Sequence, residues 1–255
     1  MRVNIIEGAA GCAYAVERQS AAVVVDALRA SATAAMLLHH GARRLLVVRE
    51  VADALAAKAM LADALLYGER DGLPPAGFDF GNSPRETEHA KDRDVVFTTT
   101  TGATRLIDAW GAPVVMMATT INATAAARYL LEQPIEEITL IPAGLSSDPK
   151  FDAQEDWAAA ACVANALIAH ARSGNAVTWG AGEERFQYYN QDIARGELET
   201  LFATAPHAAK LRAIGMEADV NYCARLDCCR SLPVGVARHP LGVLVQDARY
   251  AVGAI

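Results

Sequence analysis

The chain has 255 residues, 53% apolar and 21% charged, so it can bury a large core and is not a disordered polymer. Its net charge of −7 and the lack of a basic block argue against nucleic acid and anionic membranes as partners, because both select for clustered Lys and Arg. Aromatic residues make up only 6% while alanine is abundant, which favours closely packed helices on a sheet over an all-β sandwich.

The first residues, "MRVNIIEGAAGCAYAVER", contain no long apolar run ending in a cleavage site and do not read as a signal peptide. The five cysteines are an odd number in a fairly long chain, which suits a reducing compartment, and a cytoplasmic location is expected.

From residue 21 onward one grammar recurs. "AAVVVDALRASATAAMLLHHGA" (21–42) predicts a β-branched strand, a turn carrying Asp26, Arg29 and Ser31, and a small-residue helix stopping near Gly41. "RRLLVVRE" (43–50) and "DALLYGER" (63–70) read as strands around a helix over 51–62. The loop 73–86, "LPPAGFDFGNSPRE", has turn chemistry but reads as ordered rather than as a linker. "VVFTTTTGATRLIDAWGA" (95–112) and "VVMMATTINATAAARYLLEQ" (114–133) repeat the strand–turn–helix order. The uncharged stretch from Gly111 to Ala127 holds Pro113 and Asn122 and does not read as a membrane span. Residues 138–171 repeat the pattern with a longer loop, and the last part predicts a helix over 208–216 and a strand at 241–247. Strands alternating with helices predict a three-layer α/β/α fold on a largely parallel, mixed sheet, as one domain over 1–255.

In open α/β sheets, ligands bind beyond the carboxyl ends of the strands, where helices begin with free N–H groups. Asp26 closes a Val-Val-Val strand; it reads either as a helix N-cap or as a carboxylate for a hard cation or a substrate. Arg29 at the start of a helix opposes the helix dipole unless an anion or carboxylate compensates. Glu69 and Arg70 end another strand, and Asn82 and Ser83 follow in "GNSP", which is also ordinary turn chemistry. Thr98 to Thr101, Gly102, Thr104 and Arg105 read either as a strand end with an N-cap or as donors to a phosphate or sulfonate. Glu155 and Asp156 fall in a helix first turn, where Asp152 and Glu155 resemble a capping box; with Asp26 and Glu69 they could equally form a carboxylate set for Mg²⁺.

Rival chemistries leave little trace. The chain has no G-x-x-x-x-G-K-[ST] loop and no G-x-S-x-G elbow, and Asp26 has no second acid two residues on. Cys12 and Arg18 fit a Cys-x5-Arg spacing without a glycine-rich cradle. Cys223, Cys228 and Cys229 lack zinc-type pairing, and the six histidines form no H-x-x-x-H pair.

Taken in order, "VVVDALRASAT", "YGERDG", "FDFGNSPRE", "TTTTGATR", "INA", "IPAGL", "FDAQEDWAAA" and, more loosely, "EADVNYCARLD" resemble the 2-phosphosulfolactate phosphatase family. The resemblance implies a Mg²⁺-dependent phosphatase that hydrolyses 2-phospho-3-sulfolactate to sulfolactate and phosphate, a step toward coenzyme M. It implies Asp26, Glu69 and Arg29 as catalytic candidates and Asp26, Glu155 and Asp156 as metal ligands. It implies Ser31, Arg70, Asn82, Ser83, Thr100, Thr101, Gly102, Thr104 and Arg105 as substrate contacts. The family's usual Thr-Asn-Gly-Thr loop stands here as Thr100, Thr101, Gly102, Ala103. A phosphorylated-metabolite binding protein without turnover and a nucleotide-using α/β transferase are the alternatives, and a homodimer is the expected assembly.

Overall fold

A computed structural model describes residues 1–61, 63–148, 150–172 and 176–250. Among them ten strands form one sheet: β1 (Arg2–Ile5), β2 (Ala21–Val25), β3 (Arg44–Val48), β4 (Leu65–Gly68), β5 (Asp94–Thr98), β6 (Val115–Met117), β7 (Glu137–Pro142), β8 (Thr178–Trp179), β9 (Pro233–His239) and β10 (Gly242–Asp247). The helices are α1 (Gly8–Arg18), α2 (Ala30–His39), α3 (Val51–Met60), α4 (Gly102–Asp108), α5 (Ala123–Glu132), α6 (Gln154–His170), α7 (Glu183–Ala194), α8 (Leu198–Thr204), α9 (Pro206–Ala213) and α10 (Glu217–Cys223). None of them is long and apolar enough to cross a membrane.

The strand order is β4-β5-β3-β10-β9-β6-β2-β7-β1-β8. Strands β4, β5 and β3 pair in parallel, as do β6, β2, β7, β1 and β8. The β9–β10 hairpin separates the two blocks through antiparallel pairings to β3 and β6. Three successive antiparallel steps make the blocks run in opposite senses. The sequence expectation of a mixed, largely parallel sheet holds, but the turns of the two blocks do not share one straight edge.

Alternation along the strands builds the layers. Val23 and Val25 face a core under α5 and α6, whereas Ala22 and Val24 face a second core shared with Leu45, Val47 and Phe97 of the other block. Leu46, Val48 and Val96 face a third core under α3. Helix α2 is buried all round from Ala30 to Leu38, which its Ala-rich sequence permits. The alanine run Ala158–Ala161 of α6 lets that helix lie close on the sheet.

Helix α4 joins the blocks, packing against β3 and β10 on one side and β2 and β6 on the other. Sheet twist of about 20–25° per strand accumulates to roughly 100° over the five pairings between β5 and β2. The chain leaving β5 enters α4, whose first residue Gly102 lies against Asp26 at the carboxyl end of β2.

Candidate active site

The end of β2 is pinned from both sides. The Asp26 N–H donates to Ser31 Oγ at 3.0 Å, and Ser31 Oγ donates to the Val24 carbonyl at 3.1 Å. Asp26 Oδ1 accepts the Ala30 N–H at 3.2 Å, so this carboxylate supports the start of α2 while lining a cavity. The N-cap and ligand-facing readings of Asp26 are therefore compatible. Gly102 opens α4 directly against it. A Cβ on Gly102 would lie 2.6 Å from Asp26 Oδ2 and 2.6 Å from the Ala30 methyl, so only glycine allows this approach.

The β4 and β5 loops are tied to each other by Glu69. Its Oε1 accepts the Thr100 N–H at 2.7 Å, and its Oε2 accepts the Gly72 N–H at 3.0 Å and the Thr100 hydroxyl at 3.3 Å. The loop after β7 is held by Asp156, whose two oxygens accept the Ala27 N–H at 2.7 Å and the Gly144 N–H at 3.0 Å. Asp156 thus joins the loops after β2 and β7 while facing the cavity. Asp152 binds Arg185 at 3.1 Å and the α6 N-cap carries no side-chain bond, so the expected capping box does not form. Glu155 instead reaches His207 Nδ1 at 3.4 Å, and its buried Oε2 has no hydrogen-bond partner.

These loops enclose a cavity of about 140 Å³. Asp26, Glu69, Asp71 and Asp156 supply its acids, and Arg29, His207 and Lys210 its cations. Asn82, Thr100 and Thr101 also line it, and Asn82 Oδ1 is buried without a partner. A larger cavity of about 860 Å³ lies elsewhere, between Trp110, Tyr129 and Val234, and its wall holds no carboxylate or cation. The acids and cations at the ends of β2, β4, β5 and β7 converge on the smaller one.

Arg29 has the compensating carboxylate that its position demanded. Its Nη1 contacts Asp219 Oδ2 at 2.6 Å with both side chains 2% exposed, and its Nη2 donates to the Gly72 carbonyl at 2.8 Å. Ser83 donates to the other Asp219 oxygen at 2.8 Å, so it braces the pair rather than facing the cavity. Ser31 is likewise turned inward. Arg70 is spent on the carbonyls of Glu69 and Arg49 and on Thr98 Oγ1. Thr104 bonds back to the Thr100 carbonyl, and Arg105 donates to the Ala143 carbonyl and approaches Asp108 at 3.8 Å. These five side chains bond into the loops, and neither they nor Gly102 and Glu155 are among the residues that line the cavity.

His207, Lys210 and Asp219 were not singled out by the sequence reading. His207 and Lys210 sit three apart on α9, which places them on one helix face. The detectable signals were Pro206 opening a helix just before a histidine, and the need for an acid beside Arg29.

Burial raises the Asp26 carboxyl from 3.8 to about 6; the His207 charge and the Ala30 N–H pull it down, and Glu69 and Glu155 push it up. Asp156 is also raised by burial, with Glu155 and Asp26 adding to the effect. His207 is disfavoured as a cation by burial, but its bond to Glu155 and the charges of Glu155, Asp26 and Glu69 outweigh this and raise it. Strongly shifted titratable groups clustered at a cavity are a common mark of proton-transfer sites.

A family model described as 2-phosphosulpholactate phosphatase matches residues 13–237. Curated relatives named probable 2-phosphosulfolactate phosphatase are similar over most of their length. The protein of Deinococcus radiodurans is 36% identical over 83% of this chain and 86% of its own. That of Gloeobacter violaceus is 34% identical over 88% and 91%, and that of Carboxydothermus hydrogenoformans 31% identical over 84% and 86%.

Proposed function

Since the chain belongs to the 2-phosphosulfolactate phosphatase family, we propose that it is a Mg²⁺-dependent phosphatase that hydrolyses 2-phospho-3-sulfolactate to 3-sulfolactate and phosphate. The observation that carries this reading is the convergence of four distant loops on one small cavity, with Asp26, Glu69 and Asp156 facing His207 and Lys210. A space of about 140 Å³ suits a three-carbon ester and is below the size usual for nucleotide-scale ligands.

The charge balance supports a divalent cation. Four acids line the cavity against three cations, and Arg29 is already neutralised by Asp219. A phosphate dianion entering such a wall meets the neighbouring Glu69 and Asp71 carboxylates, whose repulsion a metal would offset. Asp26 and the unpartnered Glu155 Oε2 are the oxygens that would hold Mg²⁺, with Asp156 beside them. No three acid, imidazole or thiol side chains among the described residues stand close enough to form a complete cage. Mg²⁺ commonly uses one or two carboxylates, water and substrate phosphate, so this sparse donor set fits it. When bound, the ion neutralises charge on the phosphoryl oxygens.

The chain's own groups do the rest. The Thr101 hydroxyl accepts the Ser146 N–H at 3.5 Å, which leaves its proton for a phosphoryl oxygen. Asp26 lies where a carboxylate either attacks phosphorus or orients the attacking water; transfer of the phosphoryl group to added alcohols distinguishes the two. His207, held by Glu155, is placed to protonate the departing alkoxide. The test is phosphate release from 2-phospho-3-sulfolactate with Mg²⁺, with EDTA, and after Mg²⁺ is restored. Metal-dependent release is expected; tight binding without release in any arm overturns the reading in favour of a binding protein.

A further inference from the structure

The cations of the cavity wall are not equivalent. Arg29 is committed to Asp219 and the Gly72 carbonyl, and His207 to Glu155. Lys210 makes no ion pair among the described residues; its ammonium lies 4.9 Å from the centre of the Phe151 ring, itself edge-on to His207. Asp26 is buried whereas Lys210 is exposed, so the two mark the floor and the rim of one cavity. Helix α9 is seated firmly over the loop that carries Glu69. Gly72 lies so close that a Cβ there would be 2.7 Å from the Ile214 side chain. Asp26 at the floor and Lys210 at the rim thus line one cavity, on which two ends of a small ester could divide.

Resting on the phosphatase reading above, we propose that Lys210 is a specificity residue that takes the sulfonate of the substrate. The substrate carries two groups besides phosphate. A planar carboxylate is best matched by fixed, paired donors, as in a guanidinium fork. An ammonium on a flexible stem is a point charge with rotatable donors, and it suits a tetrahedral sulfonate in any orientation. The rim position also leaves room for the bulkier of the two groups.

The experiment compares kcat/KM for 2-phospho-3-sulfolactate, for 2-phospholactate, which lacks the sulfonate, and for 2-phosphooxyethanesulfonate, which lacks the carboxylate. In Lys210→Met the preference for 2-phospho-3-sulfolactate over 2-phospholactate falls about tenfold, the scale of one charge-assisted hydrogen bond. 2-Phosphooxyethanesulfonate loses activity with the sulfonated substrate, and Lys210→Arg restores part of the preference. A preference that shifts less than twofold, or a loss that follows the carboxylate, overturns the assignment. Calorimetric binding of 3-sulfolactate supplies a second readout. If the wild-type protein hydrolyses none of the esters, the enzymatic reading fails, yet weaker 3-sulfolactate binding by Lys210→Met still supports the Lys210 site and equal binding overturns it.

Discussion

Replacing Asp219 with alanine tests how the site is held together. The Arg29–Asp219 pair is 2.6 Å long and almost fully excluded from water. Removing the carboxylate leaves the Arg29 guanidinium, among the described residues, with the Gly72 carbonyl at 2.8 Å and deprives the Ser83 hydroxyl of its acceptor. Arg85 approaches Asp219 only at 4.0 Å and is half exposed, so its part in the pair is small. Breaking a buried ion pair from one side costs about 3–5 kcal/mol, chiefly because the remaining charge is stranded. For a chain of this length each kcal/mol moves Tm by about 2–4 °C, so a fall of about 6–20 °C is expected. Scanning calorimetry and urea unfolding measure it, with an unchanged urea slope showing that stability alone has changed. The double variant Arg29→Met with Asp219→Leu should recover most of the loss, because it leaves no charge behind. A loss below about 1 kcal/mol, or a double variant no better than the single one, would refute the argument.

Two further perturbations address the catalytic floor. In the folded protein Asp26 holds its proton up to about pH 6, against an ordinary 3.8, mainly through burial. Between those values the native state binds more protons than the unfolded state, so stability falls as pH rises through the window and stays lower above it. Asp26→Asn in EDTA is therefore more stable than wild type at pH 7.5, by roughly 3 kcal/mol at most, while phosphate release is lost. The advantage should vanish below about pH 4, and thermal unfolding at the two pH values checks both the size and the sign. Gly102→Ala forces a methyl group into Asp26 Oδ2 and the Ala30 side chain, at a cost of about 1–3 kcal/mol. It also shifts α4 from Asp26, so kcat should fall at least about tenfold; wild-type Tm together with wild-type kcat would show that the contact is looser than described.

The βα units were legible because strands buried on both faces read as continuous Val, Leu and Ile runs, and because Ala-rich helices can lie close on them. The central hairpin was only half legible. β10 stood out as an apolar run, but nothing local in residues 233–247 says that the hairpin inserts between β3 and β6, since strand neighbours are chosen by distant edges. Around the cavity, Asp26, Glu69, Thr100 and Thr101 are readable as polar residues after strands, Asn82 as part of a turn, and Asp156 as an acid in a helix first turn. Ser31, Ser83, Arg70, Thr104 and Arg105 share that position but turn into the loops, a choice set by which backbone carbonyls and carboxylates lie near. His207 has no metal-type spacing in the sequence, and a proton donor requires none. Lys210 and Asp219 lie on ordinary surface-type helices, and the place of Lys210 on the cavity wall and of Asp219 beside Arg29 emerges only once α9 and α10 pack against the loops.

The position of the hairpin also has a bearing on how the chain is made. Strands β9 and β10 come last in sequence yet occupy the middle of the sheet, so during synthesis both parallel blocks exist before the piece that joins them. Until residue 247 has left the ribosome, β3 and β6 each present an unpaired edge, the kind of edge on which polypeptides aggregate. A chain cut short ahead of Pro233 would keep Asp26, Glu69, His207 and Lys210 and still be expected to precipitate, since the two half-sheets would have nothing between them to close the seam.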